Sequence, residues 1–390
     1  MPGETMTPLQ MLERLVAFDT TSSGSNLALI DYVRSYLSGH GVEARLSHDE
    51  AGAKANLLAA IGPRAAGGVV LSGHTDVVPT AGQAWASDPF TLTERDGRLY
   101  GRGAADMKGF LAVALALVPE MLARGLKVPI YLALSFDEEV GCLGVPHLIR
   151  QLGAELPKPG LAIVGEPTAM KVAGAHKGIY AFLTTVTGRA GHSSAPERGV
   201  NAVAVAAELI AFLGSLAEEM RAAAPAGSEF EPPHDTINVG LIEGGTALNI
   251  IPAACAFRWE HRPLPVSDPG RAAGRLQAFA QSELLPAMAE VSAEAGIATQ
   301  ETCAVPPLTP EPGSPAESLA LTLTGQNRAG VVSFASEAGI FQQAGIPAVL
   351  IGPGDIAQAH QPNEFIDPGQ LDSCAAFLHR LIDWAGEEGE

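Results

Sequence analysis

The chain has 390 residues, too many for one ordinary hydrophobic core, so two domains are expected. Apolar residues make up 47% and charged residues 17%, which excludes a disordered chain. Asp and Glu total 43 against 24 Lys and Arg, and the resulting net charge of −19 argues against nucleic acid and anionic membranes as partners.

Along the chain, residues 7–18 carry helical apolar spacing, with Thr7 as N-cap and Pro8 at the first helical position. The pattern repeats over 27–37 and stops at Gly39 or Gly41. Short apolar runs at 56–61, 68–72, 130–136 and 161–164 read as buried strands, with helices expected over 104–124 and 142–152. After about residue 177 the style changes. An alternating strand at 180–187 precedes a long Ala-rich helix at 201–223, strands near 236–241 and 254–262, and a helix over 269–295. The first style returns with a strand at 346–351 and a helix at 368–384. An α+β insert therefore interrupts an α/β domain.

The four cysteines are scattered with no CxxC pair, which fits neither a disulfide framework nor a structural zinc knuckle. The N-terminal segment lacks a basic stretch followed by an apolar run, and no apolar stretch is long enough to span a membrane. A cytoplasmic protein without a signal peptide is expected.

Acids and histidines follow the expected strands. His74 and Asp76, in LSGHTDVVP, lie just past one strand, where open α/β sheets place ligand sites. His74 can bind a metal while Asp76 accepts its other ring N–H, although a surface histidine beside a capping Asp fits equally. Asp106, in GRGAADMKG, lies in a Gly-rich loop before a helix, as an N-cap or as a carboxylate bridging two cations; the dinucleotide fingerprint lacks its third glycine. Asp137, Glu138 and Glu139 crowd three acids after a buried strand, costly unless a cation sits there. Glu166 follows another strand in IVGEP, and His360 lies in the loop GPGDIAQAHQPNEF. Together they form an N/O donor set suited to zinc, cobalt or manganese. Gly191-His192-Ser193 could suggest a serine nucleophile, but no GxSxG elbow is present.

GHTDVVP, GRGAADMKG, DEEVGCLG, VGEPT, GHSSAP, GGTALNIIP, RPLP and AHQPNEF occur in that order. On these motifs the chain resembles the acetylornithine deacetylase/succinyl-diaminopimelate desuccinylase family, a branch of the co-catalytic zinc aminoacylases and carboxypeptidases. The resemblance covers about residues 8 to 385. GCLG, GVNA and RPLP lean toward the deacetylase branch. The resemblance implies an α/β zinc-peptidase-like catalytic domain (residues 1–177 and 295–390) with a mostly parallel mixed sheet flanked by helices. An α+β dimerisation or lid domain (178–294) is inserted in it.

It also implies two divalent metal ions per chain, zinc first, with cobalt or manganese as alternatives. Asp106 would bridge both, His74 and Glu166 would complete one site, and Glu139 and His360 the other. Asp76 would orient His74, and Glu138 would be the general base. His192 would polarise the scissile carbonyl in a partner subunit's site, while Asn249 and Arg262 would hold a substrate carboxylate. The implied reaction is hydrolysis of an N-acyl amino acid, N2-acetyl-L-ornithine first, with succinyl-diaminopimelate or broader aminoacylase and dipeptidase substrates as alternatives. An inactive metal-binding relative would have lost a ligand or the base, and none is missing. A homodimer through the insert and a cis peptide after Asp106 are also implied.

Overall fold

The computed structural model describes residues 5–387, so the first four residues of the segment read for a targeting signal lie outside it. The chain forms two compact units. One comprises Met1–Ala175, Leu308–Val331 and Ser336–Glu390, the other His176–Pro307 and Val332–Ala335. Among the described residues no helix is long and apolar enough to cross a membrane.

In the first unit, α1 (Pro8–Val16) starts on a capping box in which Thr7 and Gln10 satisfy each other's backbone N–H. Its stripe of Met11, Leu12, Leu15 and Val16 is buried, as is the matching stripe of α2 (Leu27–Gly39). β1 (Ala44–His48), β2 (Ala55–Ile61), β3 (Val69–His74), β4 (Thr93–Arg95) and β5 (Arg98–Tyr100) follow. The single helix expected over 104–124 is two, α3 (Lys108–Ala116) and α4 (Val118–Arg124). Pro119 lacks the N–H that would continue the ladder. β6 (Ile130–Ser135), α5 (Val145–Gln151), β7 (Leu161–Val164) and β8 (Ala173–His176) close this stretch.

The second unit contains β9 (Ile179–Thr187), α6 (Ala202–Ala222), β10 (Thr236–Gly244) and β11 (Ala254–Arg262). The helix expected over 269–295 is broken. A π turn at Ala280–Leu284 separates α7 (Arg271–Phe279) from α8 (Leu285–Val291), just ahead of Pro286. β12 (Gly296–Val305) then pairs with β9, past the boundary expected at 294. The antiparallel sheet runs β10-β11-β9-β12. Phe182, Val186, Phe257 and Trp259 on it form a core with Leu209, Leu213 and Leu216 of α6.

The chain returns to the first unit with α9 (Pro315–Thr324), β13 (Gly330–Val332), α10 (Ala338–Gln343), β14 (Ala348–Leu350), β15 (Phe365–Ile366) and α11 (Pro368–Glu387). Its main sheet runs β1-β2-β6-β3-β7-β14-β8-β13. β6, β3, β7 and β14 are parallel neighbours, whereas β1-β2, β2-β6 and β14-β8 are antiparallel. The α/β class with an inserted, sheet-rich unit is as expected. The sheet is parallel only at its centre, because continuous apolar runs report burial on both faces and not strand direction.

Two glycines let α3 approach this sheet. A Cβ at Gly73 would meet Met107 Cε at 2.7 Å, and one at Gly165 would meet Phe110 Cγ at 2.0 Å. Each glycine precedes a residue singled out above, His74 or Glu166. Gly165→Ala is expected to cost about 1–3 kcal/mol of stability by overpacking against the fully buried Phe110, read as a lowered urea midpoint.

Candidate metal centre

Because β6, β3, β7 and β14 are parallel, their carboxyl ends share one edge, where α/β sheets collect ligands. His74 is the last residue of β3 and pairs in register with Ser135 of β6. Glu138 and Glu139 follow β6, Glu166 follows β7, and His360 lies beyond β14. Asp106 comes from the loop before α3, and its peptide bond to Met107 is cis.

Asp106 stands between the two histidines. Its Oδ1 is 3.1 Å from His74 Nε2 and its Oδ2 is 3.3 Å from His360 Nε2. His360 Nε2 also lies 2.9 Å from Glu139 Oε2. The donor atoms of His74, Asp106 and Glu139 fall within 4.8 Å of one another. The structure thus brings these four residues into direct contact, and Glu166 is buried at the end of the strand beside His74.

The Asp76 carboxylate does not take the His74 ring proton as expected. His74 Nδ1 lies 2.9 Å from the Asp76 backbone carbonyl, and the carboxylate is 3.7 Å away. That carboxylate instead accepts the N–H groups of Glu138 (3.1 Å) and Glu139 (3.3 Å) and the Ser22 hydroxyl (2.7 Å). Asp76 therefore anchors the acidic turn through its side chain and His74 through its main chain. The third acid, Asp137, is committed elsewhere, 2.5 Å from Lys54 Nζ.

The charges are strongly coupled. Burial opposes charge on His74, but its hydrogen bond to Asp106 and the nearby Glu138, Asp106 and Asp76 carboxylates outweigh this and raise its pKa well above the usual range. His360 rises to about 10 through its hydrogen bonds to Asp106 and Glu139. Burial pushes Asp106 up, yet the two histidines prevail and lower it. Burial, reinforced by neighbouring carboxylates, raises Glu138, Glu139 and Glu166. Three glutamates pushed toward their neutral forms beside two histidines pushed toward their charged forms mark a site short of positive charge.

The donor set fits divalent cations. Two imidazoles and four carboxylates are N/O donors, and the two Asp106 oxygens face different histidines, as a bridging ligand's would. Glu166 Oε1 is buried with no hydrogen-bond partner, a cost that a cation would remove. His74, Glu166, Glu139, His360 and Asp106 would hold the cations, and Glu138 is left over. Glu138 Oε1 accepts from Cys142 Sγ at 3.5 Å, so Cys142 touches the site.

The second unit holds the other expected residues. Segments 191–193 and 249–251 pair, with Ile251 N donating to Gly191 O (2.8 Å) and Ser193 N to Asn249 O (3.2 Å). His192 and Asn249 are therefore neighbours, and both are exposed. Ser194 N donates to His192 Nδ1 (3.2 Å), which in a neutral ring leaves the proton on Nε2. Arg262 is engaged by Glu260, with Nε and Nη2 at 3.0 and 3.3 Å from its carboxylate oxygens.

Sequence reading missed two buried acids. Glu337 accepts from Ser72 Oγ at 3.0 Å, and Glu364 binds the Asp106 loop. Nothing marks Glu337 in its sequence neighbourhood; Glu364 lies within the AHQPNEF motif, which was its only signal.

A mixed sheet whose parallel strands lead into a cluster of two imidazoles and largely buried carboxylates defines the class, a metal-dependent hydrolase. The model of peptidase family M20/M25/M40 matches residues 70–384, and the chain belongs to that family. It is 38% identical over 384 residues to the acetylornithine deacetylase of Myxococcus xanthus, covering 95% of each chain. It is 35% identical over 373 residues to that of Proteus mirabilis, covering 94% of this chain and 92% of the relative. Among solved structures, an M20 family metallo-carboxypeptidase from Sulfolobus solfataricus shares the fold with a TM-score of 0.76 at 19% identity, covering 98% and 99% of the two chains. A dinuclear metal-binding M20 peptidase from Bacillus subtilis does so with a TM-score of 0.64 at 14% identity, covering 97% and 98%.

With its pKa raised to about 10, His360 keeps a proton at neutral pH in the metal-free protein, and a cation must displace it. Zinc binding at pH 7 is expected to release at least about one proton per chain, with apparent affinity rising about tenfold per pH unit for each proton displaced. Calorimetry in buffers of different ionisation enthalpy measures this. Binding without proton release would remove His360 from the ligand set.

Proposed function

We propose that the chain hydrolyses the amide bond of N-acyl amino acids, N2-acetyl-L-ornithine first, at a site holding two divalent cations. The observation that carries this reading is the division of labour at the sheet edge: five residues suited to cations, and one further acid, Glu138, beside them. When bound, the cations supply Lewis acidity toward a water molecule and the acyl carbonyl. Asp106 would be shared by both cations, with His74 and Glu166 holding one and Glu139 and His360 the other. Zinc suits this N/O set, and cobalt and manganese are the alternatives.

Glu138 is the general base. Cys142 holds its Oε1, which leaves Oε2 to take a proton from the attacking water. As the carbon–nitrogen bond breaks, Glu138 passes that proton to the leaving amine. Asp76 keeps Glu138 and Glu139 at fixed positions through their backbone N–H groups. His192, with its proton on Nε2, donates to the developing oxyanion. Asn249 and Arg262 hold the substrate carboxylate, for which Arg262 exchanges its present partner Glu260.

Substrate choice is carried by the names of the M. xanthus and P. mirabilis relatives, at 38% and 35% identity over nearly the full chain. We further propose a homodimer formed through the inserted unit, in which His192 serves the partner subunit. Its edge strand β10 leaves Leu241 (66%) and Ile242 (55%) exposed, a surface that edge pairing would cover. A cytoplasmic setting accords with the lack of any disulfide among the described residues.

Glu138→Gln is expected to lower kcat about 10²- to 10⁴-fold while two cations per chain remain bound; a near-normal rate with both bound would refute the base assignment. Acetylornithine should be turned over faster than succinyl-diaminopimelate, and the reverse order would reassign the substrate. Mixing inactive Glu138→Gln with inactive His192→Ala chains should restore about a quarter of wild-type activity, since half the dimers are mixed and each then has one intact site. No recovery on mixing would place His192 in its own subunit's site or outside the reaction.

A further inference from the structure

Glu364 has no part in the reaction above, yet four donors converge on its buried carboxylate. Oε2 accepts from Arg102 Nη1 (2.7 Å) and Gly103 N (3.1 Å), and Oε1 from Ala105 N (2.9 Å) and Asp106 N (3.1 Å). The Glu364 backbone carbonyl takes Gly101 N as well, at 3.0 Å. The 101–106 segment belongs to no strand or helix, so its N–H groups need partners from outside regular structure. One acid supplies four of them.

The contacts continue to the opposite side of the cluster. Arg102 and Glu364 are each 1% exposed; both terminal nitrogens of Arg102 are hydrogen-bonded, while its buried Nε has no partner. The second Arg102 branch donates to Gln83 Oε1 (2.6 Å), and Gln83 Nε2 donates to the His360 carbonyl (3.0 Å). The Trp85 ring lies 5.1 Å from the Arg102 guanidinium, and Asn363 accepts from Ala86 N at 2.8 Å. Glu364, in the same loop as His360, thus touches the Asp106 loop directly and is joined to the His360 carbonyl through Arg102 and Gln83.

We infer that Glu364 is a positioning residue: it fixes the direction from which Asp106 presents its two carboxylate oxygens and, through Arg102 and Gln83, the placement of His360 opposite. The inference rests on the two-cation reading proposed above. Its physical basis is that a flexible ligand loop must be ordered when a cation binds, and Glu364 orders it beforehand.

Glu364→Gln tests this, because it keeps the side-chain size while replacing one acceptor oxygen with an NH₂ that confronts the N–H donors. Hydrogen exchange of the metal-free variant is expected to quicken at least about tenfold over residues 103–106 and to stay unchanged in α11 and in the second unit. Zinc binding measured by calorimetry should weaken about 10- to 100-fold, and kcat at saturating zinc should fall similarly while KM stays within about twofold. Glu364→Asp keeps the charge and should recover part of the zinc affinity. A folded Glu364→Gln chain with wild-type exchange and zinc affinity overturns the inference. If Glu364→Gln does not fold, Glu364→Asp decides, since wild-type exchange over 103–106 and wild-type zinc affinity in it overturn the inference equally. A wild-type chain that neither binds zinc nor cleaves acyl amides refutes the two-cation reading instead, while the exchange measurement still decides whether Glu364 holds the Asp106 loop.

Discussion

Like charges gathered in a buried place are the constraint on which this structure turns. Asp106 and Glu139 present donor atoms within 4.8 Å of each other, where two full charges at an effective dielectric near 20 repel by about 3 kcal/mol. Glu138 and Glu166 add to that burden, and burial raises the pKa of both. Main-chain hydrogen bonds worth about 1 kcal/mol each do not offset it. In the metal-free protein the load falls on His74 and His360, whose charged forms are strongly favoured. Cations in the same place would free the histidines to act as ligands and leave Glu138 as an acid with a different task.

Holding such a cluster open requires a frame that does not depend on the cluster's own attraction. Three parts of the first unit provide it. Parallel strands bring His74, Glu138–Glu139 and Glu166 to one edge. Gly73 and Gly165 let α3 seat against those strands, which sets where Asp106 emerges. Asp76 fastens the Glu138–Glu139 turn by its N–H groups, and Glu364 fastens the Asp106 loop in the same manner. Buried carboxylates holding backbone amides are thus used twice, once on each side of the site.

Much of this was legible in the sequence because strands buried on both faces leave a continuous apolar run, whatever their direction. The runs at 56–61, 130–136 and 161–164 became β2, β6 and β7 with shifts of at most a residue. The acids and histidines after them were visible for the same reason, since polar residues at the end of an apolar run need an explanation. What was not legible depends on partners far away in the chain. β12 was missed because GIATQETCAV is largely exposed and carries too few apolar residues to signal a strand. The Asp76 side chain was assigned to His74 from local spacing, whereas its partners lie 62 and 63 positions on. Glu337 and Glu364 look like ordinary loop acids until the fold buries them.

The order of strands in the main sheet bears on how the protein is made. β14 lies between β7 and β8, although the ribosome delivers it only after the whole insert has been synthesised. The four strands of the insert, by contrast, are contiguous between residues 179 and 305. During synthesis the insert's sheet can therefore close while β7 and β8 still lack the strand that joins them. A chain halted between those two events carries unsatisfied strand edges of β7 and β8, the template on which nascent chains associate with one another.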